Sequence, residues 1–287
     1  MAFFRPGHNT DCRQEYLARG AQQQAAQREE REREESRNRL LHNCTIARTN
    51  ASPQPFRPER FVRLLHDGVQ IGWLRPELAA RLGSWKKTFS ASTEQVTLLQ
   101  PERLAPVVEQ LAKEGFIPGW RNERYRIAGL FEIERAAARP FGFTTQAVHL
   151  NGIAGDRMWL ARRSPTKQID PGMLDNLVAG GISVGFSAET TLVKEAWEEA
   201  GIPAELVRGA TASGTISVLR EVAEGVQSEV VSIYDLELPE GFQPHNQDGE
   251  VSEFRRLTFS AIEREVLTYE AALVAQDYLK RRRARAR

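Results

Sequence analysis

The chain is predicted to be an α+β protein with a mixed sheet, preceded by a small α/β unit, and three observations carry that expectation. Strand-like runs lie on both sides of a well-bounded helical stretch at 187–201. Glycine and proline turn signals punctuate the chain from about Pro55 onward. At 287 residues, 41% hydrophobic and 27% charged, the chain can bury a sizeable core and hold two domains.

Residues 1–54 read as a polar, charged extension. The run from Arg28 to Arg39 alternates charges, with Glu29/Arg33 and Glu35/Arg39 at supporting helical spacing. Its apolar residues are too sparse for a heptad seam, so a solvated helix outside the core is expected rather than a coiled coil.

Residues 55–135 form the small α/β unit. Phe61–Leu65 reads as a helix or strand, Asp67-Gly68 as a turn, and Val69–Leu74 as a strand. Pro76–Leu82 reads as a short helix with proline in its first turn. Gln95–Leu99 is strand-like, and Leu104–Lys113 has helical apolar spacing before a stop at Glu114-Gly115. Tyr125–Ile127 and Leu130-Phe131 lead to Ile133–Ala138, taken as a short helix or connection.

Residues 136–287 form the second unit. Ala147–Leu150 and Met158–Arg163 read as strands of a hairpin around the turn Asn151–Asp156. A loop, Ser164–Leu177, precedes the glycine-rich stretch and the helix. Ile216–Val222, Val230–Leu236 and Phe254–Phe259 read as further strands, and Ser260 to about Arg283 as one last helix. Strands that surround helices in this order imply a mixed sheet.

The net charge of +1 argues against a field that steers the chain to nucleic acid or membrane. The tail from Lys280 to Arg287 is basic, which a helix C-terminus favours without any partner. Cys12 and Cys44 are too few for a disulfide scaffold. No apolar run reaches membrane-helix length and the start has no hydrophobic signal region, so a reducing cytoplasm is expected.

Chemistry concentrates between Gly180 and Ile202. Glu195, Glu198 and Glu199 lie within five residues, at spacings that share a helix face. Ser187 can cap this helix, Gly201 can end it and Pro203 prevents continuation. Leu192, Val193, Ala196 and Ala200 fall on an apolar arc bordered by Trp197. The carboxylates are expected to point outward on the opposite side, near Lys194. Crowded carboxylates repel, and a hard divalent cation such as Mg²⁺ relieves that repulsion.

The stretch resembles the Nudix box, whose pattern is Gly, five residues, Glu, seven residues, then Arg-Glu-U-x-Glu-Glu-x-Gly-U with U aliphatic. Gly180 takes the first position, and Lys194, Glu195, Ala196, Glu198, Glu199, Gly201 and Ile202 take the last block. Two positions depart from it. Phe186 stands where the early glutamate belongs, and Lys194 replaces the arginine, keeping the charge but losing its planar fork. Glu189 is too near the apolar arc to substitute.

Further motifs are similar to one Nudix branch that carries an N-terminal DUF4743 domain related to thiamin pyrophosphokinase. They are Trp120-Arg121-Asn122-Glu123, Glu134-Arg135-Ala136-Ala137, Phe141-Gly142 and His149-Leu150-Asn151-Gly152. Trp159 to Ser164, Lys167, Asp170 to Asn176 and Ala179-Gly180-Gly181 continue the match. The resemblance implies an αβα sandwich that hydrolyses a small-molecule diphosphate, nucleoside-linked or thiamine-like, with Mg²⁺ or Mn²⁺. It implies Glu198 and Glu199 as metal ligands, and Glu195 as a ligand or an activator of water.

Glu250, with Glu253 second, is the expected extra catalytic carboxylate from the loop 243–253. Arg162, Arg163, Lys167, Gly180 and Gly181 are the expected substrate contacts, the cations because they cluster at a strand end. His149 reads as a core histidine or a pocket residue. Trp120, Trp159 and Trp197 read as packing or as stacking surfaces. A homodimer is left open. The alternative function is a non-catalytic ligand sensor on a degenerate Nudix domain, motivated by Phe186 and Lys194.

Overall fold

The computed structural model describes residues 56–285. The extension 1–54, with its Arg28–Arg39 run, both cysteines and the last two residues of the basic tail, lies outside the described residues.

Strand β1 (Val62–His66) turns through Asp67-Gly68 into β2 (Val69–Leu74), and helix α1 (Pro76–Leu82) follows. Asp67 and Gly68 both adopt positive φ (48° and 76°), the left-handed turn that this dipeptide favours. Strands β3 (Phe89–Ala91) and β4 (Gln95–Leu98) complete a four-stranded sheet in the order β2-β1-β4-β3. Only β1 and β4 run parallel there. Helix α2 (Leu104–Lys113) lays Leu104, Val107, Val108 and Leu111 on the core, at the spacing of one helix face.

A hairpin of β5 (Arg124–Ile127) and β6 (Phe131–Glu134) comes next, then a 3₁₀ turn and the short α3 (Ala138–Phe141). Ile133 and Glu134, expected in a helix or connection, are therefore strand residues. Pairing with Tyr125 and Arg124 decides it, and helical structure starts only where the Glu134 side chain caps the Ala136 N–H. The apolar core of this first region continues through Phe141 and Phe143. Gly142 permits this close packing: a side chain there would press on the Trp73 backbone, and its φ is +60°.

The second region is built on a seven-stranded mixed sheet with β11-β12-β7-β8-β13 as its main path. Its strands are β7 (Thr144–Ala154), β8 (Arg157–Arg163), β9 (Leu174–Asn176), β10 (Val178–Gly181), β11 (Thr211–Val222), β12 (Gly225–Glu237) and β13 (Val251–Thr258). On one edge β7 pairs parallel with β12 along its length. On the other edge the pairing divides: Gly152–Ala154 pair with β8, while Ala147–Leu150 pair with β10. Both β9 and β10 fall in stretches expected to be loop or glycine-rich connection. Their shortness, and glycine at two of the four β10 positions, hid the strand pattern.

Helix α4 (Ala188–Ala200) covers one face of the sheet, packing on Val148, Leu150, Val178 and Leu236. On the other face α7 (Tyr269–Arg285) packs on Ile153, Leu160, Val231 and Ile233. The period-two alternation of β7 sends Val148 and Leu150 one way and Ala147 and Ile153 the other. The result is the αβα sandwich. A short α5 (Ala204–Val207) follows α4. The expected single terminal helix is two, α6 (Phe259–Ile262) and α7, separated by a turn in which Leu267 bridges to Leu174 and Thr268 N–H donates to Leu174 O at 2.8 Å.

Candidate functional site

Helix α4 is capped at both ends by the residues its sequence supplies. Thr190 N–H donates to Ser187 Oγ at 3.2 Å, and Ser187 N–H donates to Thr190 Oγ1 at 2.8 Å, a reciprocal box. Gly201 ends the helix at φ 65° and donates its N–H to Trp197 O at 3.0 Å. A side chain at Gly201 would sit 2.5 Å from the His245 ring. The loop carrying His245 docks on this end of the helix, where His245 N–H donates to Ala200 O and Gln247 N–H to Glu198 O (3.2 and 2.8 Å). These bonds satisfy carbonyls that a helix end leaves open. They also hold the segment that delivers Glu250.

The three carboxylates do not all point outward as expected. Glu198 is half-buried, but Glu199 is only 5% exposed. Strand β10 explains the difference. A Cβ at Gly180 would overlap Glu195 Cγ, so the bare glycine lets Glu195 lie across the strand. One residue earlier, Ala179 N–H donates to Glu199 Oε2 at 2.8 Å. Burial pushes the Glu199 carboxyl up to about 8, with the Lys167 charge opposing the shift. Burial also raises Glu195, against the hydrogen bond from Lys194.

Two ammonium groups stand among these carboxylates. Lys194 Nζ lies 3.1 Å from Glu195 Oε1 and 2.6 Å from Glu198 Oε2. Lys167 Nζ touches Glu250 Oε2 and lies 3.9 Å from Glu199 Oε1. The structure thus brings Glu250 to Glu199 through Lys167. Among the described residues no three His, Cys, Asp or Glu side chains converge into a preformed metal cage. The donor chemistry nonetheless fits a hard cation: Glu195, Glu198, Glu199 and Glu250 are oxygen donors already grouped around positive charge.

A cavity of about 480 Å³ adjoins this cluster. Thr145, Ala147 and His149, alternate residues of β7, line it together with Gln227 and Glu229 of β12 and Ala179, Gly180 and Gly181 of β10. Arg121, Tyr125, Arg135 and Arg139 of the first region line it too. Gly181 must lack a side chain because Tyr125 Oη occupies that space. The smaller pocket holding Lys167, Glu199 and Glu250 shares Arg163, Asp175 and Ala179 with the cavity.

The expected cations part company. Arg163 lines the cavity, with Nη1 2.9 Å from Asp175 Oδ2 and Nε donating to Ile169 O at 3.0 Å. Arg162 instead binds Glu253 Oε2 at 2.5 Å and Gly172 O at 2.8 Å, away from the cavity lining. Glu253 is occupied by that pair and by Arg255 at 3.0 Å.

His149 satisfies both of its expected readings. It is buried, with Nδ1 2.7 Å from Asn176 Oδ1, and it lines the cavity. Trp159 packs in the core beneath α4, while Trp120 and Trp197 are exposed and absent from the cavity lining. Phe186 is exposed at 46%, so the early box position contributes no carboxylate to the cluster.

Sequence reasoning missed the acidic floor of the cavity. Gln227 Nε2 donates to Glu270 Oε1 at 2.7 Å and to Glu229 Oε2 at 3.3 Å, and Thr145 Oγ1 donates to Glu229 Oε1 at 3.1 Å. Burial raises the Glu229 carboxyl, and the Glu270 charge adds to the shift. The Gln227/Glu229 spacing was readable as one strand face. That this face looks into a cavity depends on β5, α3 and α7, which no local pattern announces.

Two family models match the chain. The NUDIX domain family model matches residues 145–278, and the model for a domain of unknown function, DUF4743, matches residues 40–145. The chain is 41% identical over 184 residues to Nudix hydrolase 20, chloroplastic, from Arabidopsis thaliana, covering 59% of this chain and 49% of that one. It is 41% identical over 222 residues to Nudix hydrolase 24, chloroplastic, from the same plant, covering 70% and 61%. It is 31% identical over 261 residues to the uncharacterized protein YJR142W of Saccharomyces cerevisiae, covering 75% of each. The chain spans half to three fifths of the two plant relatives. Among solved structures, DR0079 from Deinococcus radiodurans aligns at 20% identity and a TM-score of 0.42, covering 54% of this chain and 99% of that one. The chain carries a DUF4743 domain followed by a NUDIX domain.

Proposed function

We propose that this chain hydrolyses a small-molecule diphosphate, nucleoside-linked or thiamine-diphosphate-like, in a reaction that depends on Mg²⁺ or Mn²⁺. The observation that carries the reading is the set of α4 carboxylates folded against a bare glycine strand, beside a cavity walled by arginines. Glu195, Glu198, Glu199 and Glu250 would hold the metal. When bound, the metal neutralises diphosphate oxygens and lowers the pKa of an attacking water.

The chain's own residues supply the rest. Glu195 or Glu199, held in a poorly solvated place, can accept a proton from water. Lys167, between Glu199 and Glu250, balances their charge while the site waits for substrate. Arg163 lines the cavity where the phosphates would lie, and the glycine strand admits them closely. The residues of the DUF4743 segment close the cavity around the organic group. A cytoplasmic setting belongs to the same proposal, resting on the low cysteine content.

The test is a panel of diphosphates, thiamine diphosphate and its oxidised forms included, assayed for release of phosphate or phosphomonoester products with Mg²⁺, with Mn²⁺ and with a chelator. Metal-dependent release from at least one compound is expected. The second reading, a sensor without catalysis, is favoured by Phe186 and Lys194 in the box; it predicts ligand binding with no release under any of these conditions.

A further inference from the structure

Four arginines line the cavity, and three of them already have carboxylate partners. Arg135 Nη1 lies 2.7 Å from Glu123 Oε2, Arg163 Nη1 lies 2.9 Å from Asp175 Oδ2, and Arg139 Nη1 lies 3.7 Å from Glu224 Oε1. Arg121 is different. Among the described residues no carboxylate comes within 4.0 Å of its guanidinium. Its one hydrogen bond there is made by the backbone, N–H to Glu134 Oε1 at 2.8 Å.

The surroundings make this lack costly. Burial lowers the Arg121 pKa most, and the neighbouring Arg135 and Arg139 charges lower it further, while Glu123 and Tyr125 oppose the shift from a distance. A partly desolvated guanidinium beside like charges gains most from an added anion. Local structure fixes where it faces. Trp120 is held at the surface by its Nε1–H bond to Asn122 Oδ1 (2.8 Å), while the next residue turns to the cavity. Gly119, at φ 73°, sits so close to Gln168 that a Cβ would lie 2.6 Å from Oε1. This bend seats the turn 118–121 against the loop at Gln168, and both line the cavity.

We propose that Arg121 is the residue through which the N-terminal segment grips the substrate's diphosphate. The inference rests on the reading of the cavity as a diphosphate site, and gives the domain of unknown function a chemical task in it. Arg121 is the cavity arginine whose charge remains for a ligand, and its fork fits two phosphate oxygens at once.

Binding and turnover separate the two claims. Imidodiphosphate, which resists hydrolysis, is titrated calorimetrically into wild type, Arg121→Ala, Arg121→Lys and Arg124→Ala, each with Mg²⁺ and with a chelator. Arg121→Ala is expected to weaken binding about tenfold or more, with an unchanged melting temperature because the backbone bond to Glu134 survives. Arg121→Lys should fall between it and wild type. Arg124→Ala, whose arginine pairs with Glu132 outside the cavity, should match wild type. Equal affinity of Arg121→Ala and wild type, or no binding to wild type, overturns the assignment. If binding depends on Arg121 while no diphosphate is hydrolysed, the assignment stands and the hydrolase reading falls.

Discussion

The first core and the sandwich bury their side chains on different terms. Between Phe56 and Phe143 the core is one apolar cluster, and Thr88 and Glu134 are its only fully buried polar residues among those described. The sandwich divides its core into three clusters and buries His149, Asn151, Asp175, Asn176, Glu199, Gln227 and Glu270 between them. Buried polar groups cost stability unless each finds a partner. Here they chain together: Asn151 to Asn176, Asn176 to His149, and Gln227 to Glu270. The first region therefore holds the fold with hydrophobic burial, while the sandwich gives up part of that burial to position charge.

The contrast predicts separable mutational effects. Glu199→Gln keeps the side-chain volume and removes a buried group whose charged form is disfavoured by burial. It should cut metal-dependent hydrolysis roughly 100-fold or more, as loss of a catalytic acid–base or metal-holding group does, and leave the melting temperature within error or raised. Steady-state kinetics beside calorimetry reads both quantities.

Leu111→Ala is the mirror image. Leu111 is fully buried in the first core, and the truncation should cost about 3 kcal/mol in urea denaturation. Turnover per folded molecule should not change. Equal losses of turnover from both variants would erase the distinction.

Gly180→Ala tests the strand that seats Glu195. The added methyl has no room beside Glu195 Cγ, so the carboxylate must shift. A misplacement of this kind should lower kcat roughly tenfold to a hundredfold, with modest loss of stability. The smallest effect belongs to Lys194→Arg. Lys194 already reaches Glu195 and Glu198, so the restored fork should raise turnover only a few-fold.

Much of this molecule was legible in its sequence, and the limits are physical. Helices α1, α2 and α4 declare themselves by proline, apolar period, serine and glycine at their ends. The long strands declare themselves by alternation. Strands β3, β9 and β10 are too short for a period to emerge. The Glu195–Glu199 cluster was visible because one helix carries it. The burial of Glu199 was not, because it depends on a glycine strand paired to β7. Arg121 and Glu229 come together through tertiary contacts between distant segments, which spacing along the chain does not encode.

On the proposed reading the α4 carboxylates collect a divalent ion, displacing the lysine charges that now stand among them. Titration of Mn²⁺ followed by its electron paramagnetic resonance signal tests this directly, on wild type, Glu199→Gln and Glu250→Gln. Saturable loss of the free-ion signal with wild type, weakened at least about tenfold in Glu199→Gln, is the predicted result. Identical titrations of wild type and Glu199→Gln would contradict the account.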